Sequence, residues 1–132
     1  MRRLVVLLAL ALAGCGTAQT ANTSKFKGPA KDVADVVDKL SAAGRRGDAK
    51  TICNDILSKQ LLTQLKTAGG DCETEMKDAI RDANDFDLNV RSVKVTGTTA
   101  TAQVQQGDKG QTATFTFVKE GKDWKASALG GD

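Results

Sequence analysis

The sequence lacks histidine and tyrosine entirely among its 132 residues, and aromatic side chains make up only 4% of it. Histidine performs much of the acid–base chemistry that enzymes need near neutral pH, and tyrosine supplies a phenolic proton donor. With no imidazole and only three cysteines, the chain also offers few ligands for zinc. These absences predict that the protein is not an enzyme and that it carries no metal ion and no cofactor.

The excess of basic over acidic residues is also small. The formal net charge is +3, and Arg2 and Arg3 near the N-terminus supply two of these charges. Proteins that bind nucleic acid usually present a basic stripe together with aromatic side chains, whereas this chain has no such stripe and few aromatics. The sequence therefore argues against a nucleic-acid partner.

The N-terminus has the pattern of a signal peptide. Arg2 and Arg3 form a basic start, and residues 4–13 are an unbroken apolar run. As a helix this run would extend about 15 Å, which is half of the roughly 30 Å hydrocarbon core of a bilayer. The run is too short for a membrane span, and we expect residues 1–14 to be removed.

The apolar run ends in Leu12-Ala13-Gly14-Cys15, which resembles the lipobox of bacterial lipoproteins. The resemblance implies cleavage before Cys15, a diacylglycerol on its thiol and, usually, a further acyl chain such as palmitate on the new amino group. Two or three acyl chains anchor a protein stably. We therefore expect a lipid anchor that holds the protein on the extracytoplasmic face of the cell membrane. The alternative is ordinary secretory cleavage near Ala13 or Gly16, with Cys15 unmodified.

Residues 15–28 are predicted to form a flexible tether between the lipid and the domain. They are mostly Thr, Ala, Asn, Gln and Ser, a composition that buries little apolar area. Lys25, Lys27 and, just beyond, Lys31 could each add about 1 kcal/mol of attraction to anionic head groups of the membrane. Simple solvation of these lysines is the competing interpretation.

Apolar residues at helical spacing predict four helices over residues 29–83. Pro29 suits the first turn of the first helix, and Asp48, Ser58 and Asp71 are suited to cap the other three. The predicted inward residues are, helix by helix, Val33, Val36, Val37 and Leu40; Ile52, Cys53, Ile56 and Leu57; Leu61, Leu62 and Leu65; and Cys72, Met76, Ala79, Ile80 and Ala83.

From Phe86 onward the apolar period changes to two, which is typical of strands. The alternation slips by one residue at Arg91-Ser92, which predicts a β-bulge that bends the first strand. Turn sequences at residues 97–98, 107–110 and 121 separate three further strands. The predicted inward residues of the sheet are Phe86, Leu88, Val90, Val93, Val95, Ala100, Ala102, Val104, Ala113, Phe115, Phe117, Trp124, Ala126 and Ala128.

Helices followed by hairpin-linked strands predict one α+β domain over residues 29–132, with N-terminal helices packed on a curved four-stranded antiparallel sheet. This order resembles the nuclear-transport-factor-2-like superfamily, and particularly its small actinobacterial lipoproteins. The residues that carry the resemblance lie within about 29–129 and are Gly47-Asp48-Ala49, the Cys53 and Cys72 pair, the run 90–97 with Ala100 and Ala102, and Asp123-Trp124-Lys125. Members of this superfamily fold as a cone around a pocket, which serves some as an active site, others as a ligand site and many only as a core.

The small inward residues of the predicted sheet could leave a cavity in such a cone. Its wall would be largely apolar, and the residues expected to line it are Met76, Phe115, Phe117 and Trp124. Such a pocket suits a small apolar ligand, whereas ordinary core packing is the competing interpretation of the same side chains. The other candidate function is an interaction module that docks on another protein of the cell envelope through its outer surface.

Cys53 and Cys72 are the two cysteines that remain once Cys15 is lipidated. In an oxidising compartment they are expected to form a disulfide between the second and fourth helices. A closed loop of this size contributes about 3 kcal/mol to stability in the chain-entropy model. A catalytic redox pair is the alternative, but the two cysteines are not in a Cys-x-x-Cys arrangement.

Several charged residues have no assigned role. Asp55, Asp87 and Lys94 could take part in chemistry in principle, but nothing in their spacing singles them out. An acidic stripe on the fourth predicted helix could meet a basic partner or hold a divalent cation weakly, although a solvated helix face is the simpler interpretation. The stripe consists of Asp71, Glu75, Asp78 and Asp82.

Overall fold

The helices come first in the chain and the strands last. A computed structural model describes residues 25–83, 86–108 and 110–130, so the predicted signal peptide, Cys15 and most of the predicted tether lie outside the described residues. The helices are α1 (Pro29–Arg45), α2 (Ala49–Thr51, continued by a π-helical turn over Ile52–Ile56), α3 (Lys59–Thr67) and α4 (Cys72–Asp82). The strands are β1 (Leu88–Thr96), β2 (Thr99–Gln106), β3 (Thr112–Glu120) and β4 (Asp123–Leu129). The predicted α+β class is confirmed.

Three helices begin at the predicted capping residues. The Asp48 carboxylate accepts hydrogen bonds from the amide and the hydroxyl of Thr51, at 3.1 and 2.7 Å. The Ser58 hydroxyl accepts from the Leu61 amide at 3.1 Å, and Asp71 accepts from the Thr74 amide at 3.2 Å. Each of the three bonds from an amide satisfies a donor that has no partner within its own helix, which explains why the helices begin where they do.

The four strands form one open antiparallel sheet in the order β1-β2-β3-β4. The register between β1 and β2 shifts between Val90 and Ser92, so the predicted bulge at Arg91 is confirmed. Leu57 and Ser58 join the helical half of the chain to the edge of β4, where the Ser58 amide donates to the Ala126 carbonyl oxygen at 2.8 Å.

A second register shift was not predicted. Phe117 pairs with Ala126, but Thr116 pairs with Ala128 and Phe115 with Leu129, so Ser127 is the extra residue of β4. Paired residues of antiparallel strands share a face of the sheet. Leu129 therefore shares the inner face with Phe115, and the prediction that Ala128 points inward was wrong.

The core lies between α1 and the inner face of the sheet. Val33 and Val37 of α1 are fully buried with Val104 and Phe117 of the sheet. Burial of each such side chain contributes about 1.5–3 kcal/mol. The outer face of the sheet carries threonine and glutamine instead, among them Thr101, Gln103, Thr114 and Thr116.

α3 and α4 lie at the margin of the core, and neither contains a fully buried residue. Their apolar side chains Leu61, Leu65, Met76 and Ile80 are half-buried against it. Ala79 is exposed, contrary to the prediction that it lies on the apolar face of α4. The predicted disulfide between Cys53 and Cys72 is confirmed, with the two Cα atoms 6.0 Å apart, and it holds α4 against the π-helical turn.

The last residues of the predicted tether pack on the domain. Phe26 is half-buried against the core, and the Lys25 ammonium group donates to the Arg91 carbonyl oxygen at 3.3 Å. The packed part of the chain thus includes residues before the predicted boundary at 29. The composition of residues 15–28 did not predict this packing, because Phe26 is a single aromatic residue in a polar segment.

Candidate functional site

An open groove of about 630 Å³ lies between α1, α2 and the turn that joins β3 to β4. Its lining contains four carboxylates, four cations and several apolar side chains. The lining residues are Asp32, Asp35, Val36, Lys39, Ala42, Arg46, Thr51, Asp55, Ile56, Lys122, Asp123, Trp124 and Lys125.

One wall of the groove is a single face of α1. Asp32, Asp35, Lys39 and Arg46 line it and are separated by multiples of about one helical turn, so their side chains lie above one another on the helix. Asp35 accepts a hydrogen bond from Lys31 at 3.0 Å. This wall places negative charge toward the beginning of α1 and positive charge toward its end, as the helix dipole favours.

The opposite wall is formed by the end of α2 and the tight turn between β3 and β4. Gly121 has a φ of 64°, which a glycine adopts without strain, and the turn it makes presents Lys122 and Asp123. The Lys125 ammonium group donates to the Asp55 carbonyl oxygen at 2.6 Å, which ties β4 to the π-helical turn.

The floor of the groove is apolar. Val36 and Ile56 are buried, and Trp124 is only 5% exposed. The Lys119 ammonium group lies 6.0 Å from the centre of the Trp124 ring, a favourable cation–π distance. These three side chains expose little surface, so the groove has a small apolar base between charged rims.

Four rim charges are available to a partner. Within residues 25–83, 86–108 and 110–130, no ion pair or side-chain hydrogen bond engages Asp32, Lys39, Lys122 or the Asp123 carboxylate. Two are acidic and two are basic, so the rim does not favour a ligand of one charge sign.

Asp48 lies next to the groove, and its carboxylate has a clear pKa shift. Hydrogen bonds from the Thr51 hydroxyl and from the Thr51 amide lower the pKa of Asp48 below its ordinary value. Arg46, whose guanidinium lies 3.5 Å from the carboxylate, acts in the same direction. Asp48 is thus held as an anion that caps α2.

The four residues predicted to line an apolar pocket occupy different places. Trp124 lines the groove. Phe115 and Phe117 are 5% and 1% exposed and belong to the core between α1 and the sheet. Met76 lies half-buried on α4. These side chains pack within or against the core, and the groove shares only Trp124 with them.

The charged residues considered from the sequence are not gathered at one site. Asp55 lines the groove, whereas Asp87 pairs with Arg45 at 2.6 Å beside β1 and Lys94 lies exposed on β1. On α4, Asp71 serves as the helix cap, and Arg81 lies 3.2 and 3.3 Å from the Asp78 and Asp82 carboxylates. The acidic stripe is thus largely engaged within its own helix.

The described part of the chain has neither a cluster of metal ligands nor a helix suited to span a membrane. No group of three or more histidine, cysteine or acidic residues there is arranged to hold a metal ion. No helix among the same residues combines the length and apolarity that crossing a membrane requires.

Sequence reasoning missed the groove. A signal was present, because the charged residues of α1 share one helical face with Val36. Their spacing alone is that of a solvated face, however, and part of the opposite wall comes from a turn more than 70 residues beyond the end of α1. Only the packing of β4 beside α1 and α2 turns this face of α1 into a wall of the groove.

Comparison with known proteins gave no match: no protein-family model, no curated protein and no solved structure is significantly similar to this chain.

Proposed function

We propose that this protein is a lipid-anchored, extracytoplasmic binding module without catalytic activity, and that it holds a polypeptide segment of another envelope protein in the groove beside Trp124. The lipobox at Cys15 supports the anchor, and the absence of histidine and tyrosine supports a role without catalysis. The mixed-charge groove supports the binding role.

The observation that carries the proposal is the combination of an apolar floor with free charges of both signs on the rim. A polypeptide segment supplies apolar side chains together with both kinds of charge, and its backbone can follow an open groove. Protein interfaces commonly have this pattern of an apolar centre and a polar rim. A purely apolar small molecule would leave the rim charges without partners.

The cone of the nuclear-transport-factor-2-like superfamily remains our proposal for the finer architecture. The order of helices and strands, the bulge at Arg91 and the meander whose last strand begins at Asp123-Trp124 support it. An apolar ligand inside that cone would have to displace Phe115 or Phe117 from the core, which disfavours such a ligand because interiors are closely packed. We therefore favour the groove as the binding site.

The test is site-specific photo-crosslinking on the membrane of the native cell. A photoreactive amino acid replaces Lys39 or Lys122, one on each wall of the groove. The matched control replaces Thr114, which is exposed on the outer face of the sheet. We expect the same discrete crosslinked protein from both groove positions and none from Thr114.

Charge reversal makes the test specific. Lys39→Glu should remove most of the crosslinking from position 122, whereas Lys66→Glu on the exposed surface of α3 should not. Equal crosslinking from Thr114, or none from either wall, would contradict the proposal. Native mass spectrometry distinguishes the alternative, since a small ligand would add a stoichiometric mass that disappears on denaturation.

A further inference from the structure

The chain enters the domain at the outer edge of β1. Lys25 donates to the carbonyl oxygen of Arg91 at the bulge, and Phe26 packs half-buried against the core. Among the described strands, β1 lies at an edge of the sheet and pairs with β2 alone. These two contacts fix where the connection from Cys15 reaches the domain.

Four exposed cations lie at this contact or within three residues of it in the sequence: Lys25, Lys27, Arg91 and Lys94. We call them the entry patch. Lys25 lies 5.1 Å from the centre of the Phe26 ring, and the Arg91 guanidinium donates to the side-chain oxygen of Gln105.

In the part of the chain that the structure describes, none of the four cations of the entry patch forms an ion pair with a carboxylate. The acidic residues nearest to these cations in sequence lie in other contacts: Asp32 lines the groove, and Asp87 pairs with Arg45.

We propose that the entry patch docks on the anionic phospholipid surface of the membrane that holds the lipid anchor. This inference rests on the lipid anchor of the proposed function. Lys25 is ten positions after Cys15, and a chain of that length spans at most about 35 Å. The anchor therefore keeps the edge of β1 close to the bilayer, where each cation near an anionic surface raises surface binding roughly fivefold.

Docking through this patch leaves the groove open. The groove is built against β4, and β1 and β4 are the two opposite edges of the sheet. With β1 toward the lipid, β4 and the groove beside it lie at the far edge of the sheet. The membrane and an envelope partner would therefore use different edges of the domain.

The experiment compares lysine reactivity on two kinds of vesicle. The lipidated protein is reconstituted in vesicles of phosphatidylcholine alone or of phosphatidylcholine mixed with phosphatidylglycerol, labelled briefly with an amine-acetylating reagent and mapped by mass spectrometry. We expect Lys25, Lys27 and Lys94 to react roughly fivefold more slowly on the anionic vesicles. Lys66 and Lys122 serve as internal controls and should react equally on both. Protection should vanish at about 1 M salt, where the Debye length falls to about 3 Å.

Matched variants test the contribution of β1. The double variant Arg91→Gln/Lys94→Gln should remove most of the protection of Lys25 and Lys27, whereas Lys50→Gln/Lys66→Gln, with the same change in net charge, should not. Equal labelling of all lysines on both kinds of vesicle would contradict docking through the entry patch but would leave the proposed lipid anchor unaffected. Failure to float with phosphatidylcholine vesicles would refute the anchor itself, and the proposed orientation with it.

Discussion

Gly44 of α1 lies against the ring of Phe86 so closely that a methyl group on Gly44 would overlap the ring atoms Cδ1 and Cε1. Nearby, the Ser41 hydroxyl donates to the Phe86 carbonyl oxygen at 2.9 Å and accepts from the Leu88 amide at 3.2 Å. Glycine in the last turn of α1 thus allows the chain leading into β1 to lie directly on the helix.

Gly44→Ala should therefore destabilise the protein, although alanine favours a helix over glycine by about 1 kcal/mol. Overpacking of this kind costs about 1–3 kcal/mol. Urea denaturation measures the difference. The control is the same substitution in a Phe86→Ala background, where the ring is absent and Gly44→Ala should be neutral or stabilising. Stabilisation by Gly44→Ala in the natural background would show that the contact is not tight.

Loss of the disulfide should release α4 before the sheet. The double variant Cys53→Ser/Cys72→Ser should lower the free energy of unfolding by about 3 kcal/mol, because α4 has no fully buried residue to hold it. Hydrogen exchange should accelerate over Cys72–Asp82 while β2 and β3 stay protected. Uniform acceleration across the sheet would contradict this account, and the disulfide-bonded protein in the same buffer is the control.

Ser58 caps α3 and is completely buried. Ser58→Ala should lower the free energy of unfolding by about 1–2 kcal/mol, because the Leu61 amide loses its acceptor where water does not reach. Thr63→Ala, on the exposed surface of the same helix, should change it by less than about 0.5 kcal/mol. Chemical denaturation measures the free energy of unfolding of both variants. An equal loss in the two would argue against a specific capping role of Ser58.

The depressed pKa of Asp48 predicts the direction of a pH effect. Because its pKa is lower in the folded protein than in the unfolded chain, the ionised carboxylate stabilises the fold above about pH 4. That stabilisation is lost as the pH falls through the folded-state value. Asp48→Asn keeps a capping oxygen but removes the charge. The gap in unfolding free energy between the natural protein and this variant should stay constant from about pH 5 to 7 and shrink below about pH 4.

Urea titrations at a series of pH values measure that gap. A gap that is the same at neutral and at acidic pH would show that the Asp48 charge contributes nothing. Asp123→Asn is a suitable control, since its carboxylate makes no ion pair among the described residues.

Local signals made much of the fold predictable. The cap at Ser58 and the bulge at Arg91 each depend on a few neighbouring residues, and both were found where expected. The bulge at Ser127 was not predictable in the same way, because Trp124, Ala126 and Ala128 alternate without any slip. Its position depends on the pairing of Leu129 with Phe115 across the sheet.

The candidate site was far less predictable than the fold. Trp124 was expected to contact a ligand, but its charged neighbours in the groove were not recognised. Charges such as Lys39 on α1 have the spacing of any solvated helix face. They form one rim with Lys122 only because β4 packs beside α1 and α2, and that arrangement depends on contacts distant in sequence.

The lipid anchor at Cys15 is the claim on which the proposed placement of the protein depends. The most direct test is the intact mass of the protein purified from the membranes of the cells that make it. We predict a chain that lacks residues 1–14, begins at an acylated Cys15 and is about 2 Da lighter than its reduced form because of the Cys53 and Cys72 disulfide. An unacylated chain, whether full-length or cleaved at another residue, would contradict the account.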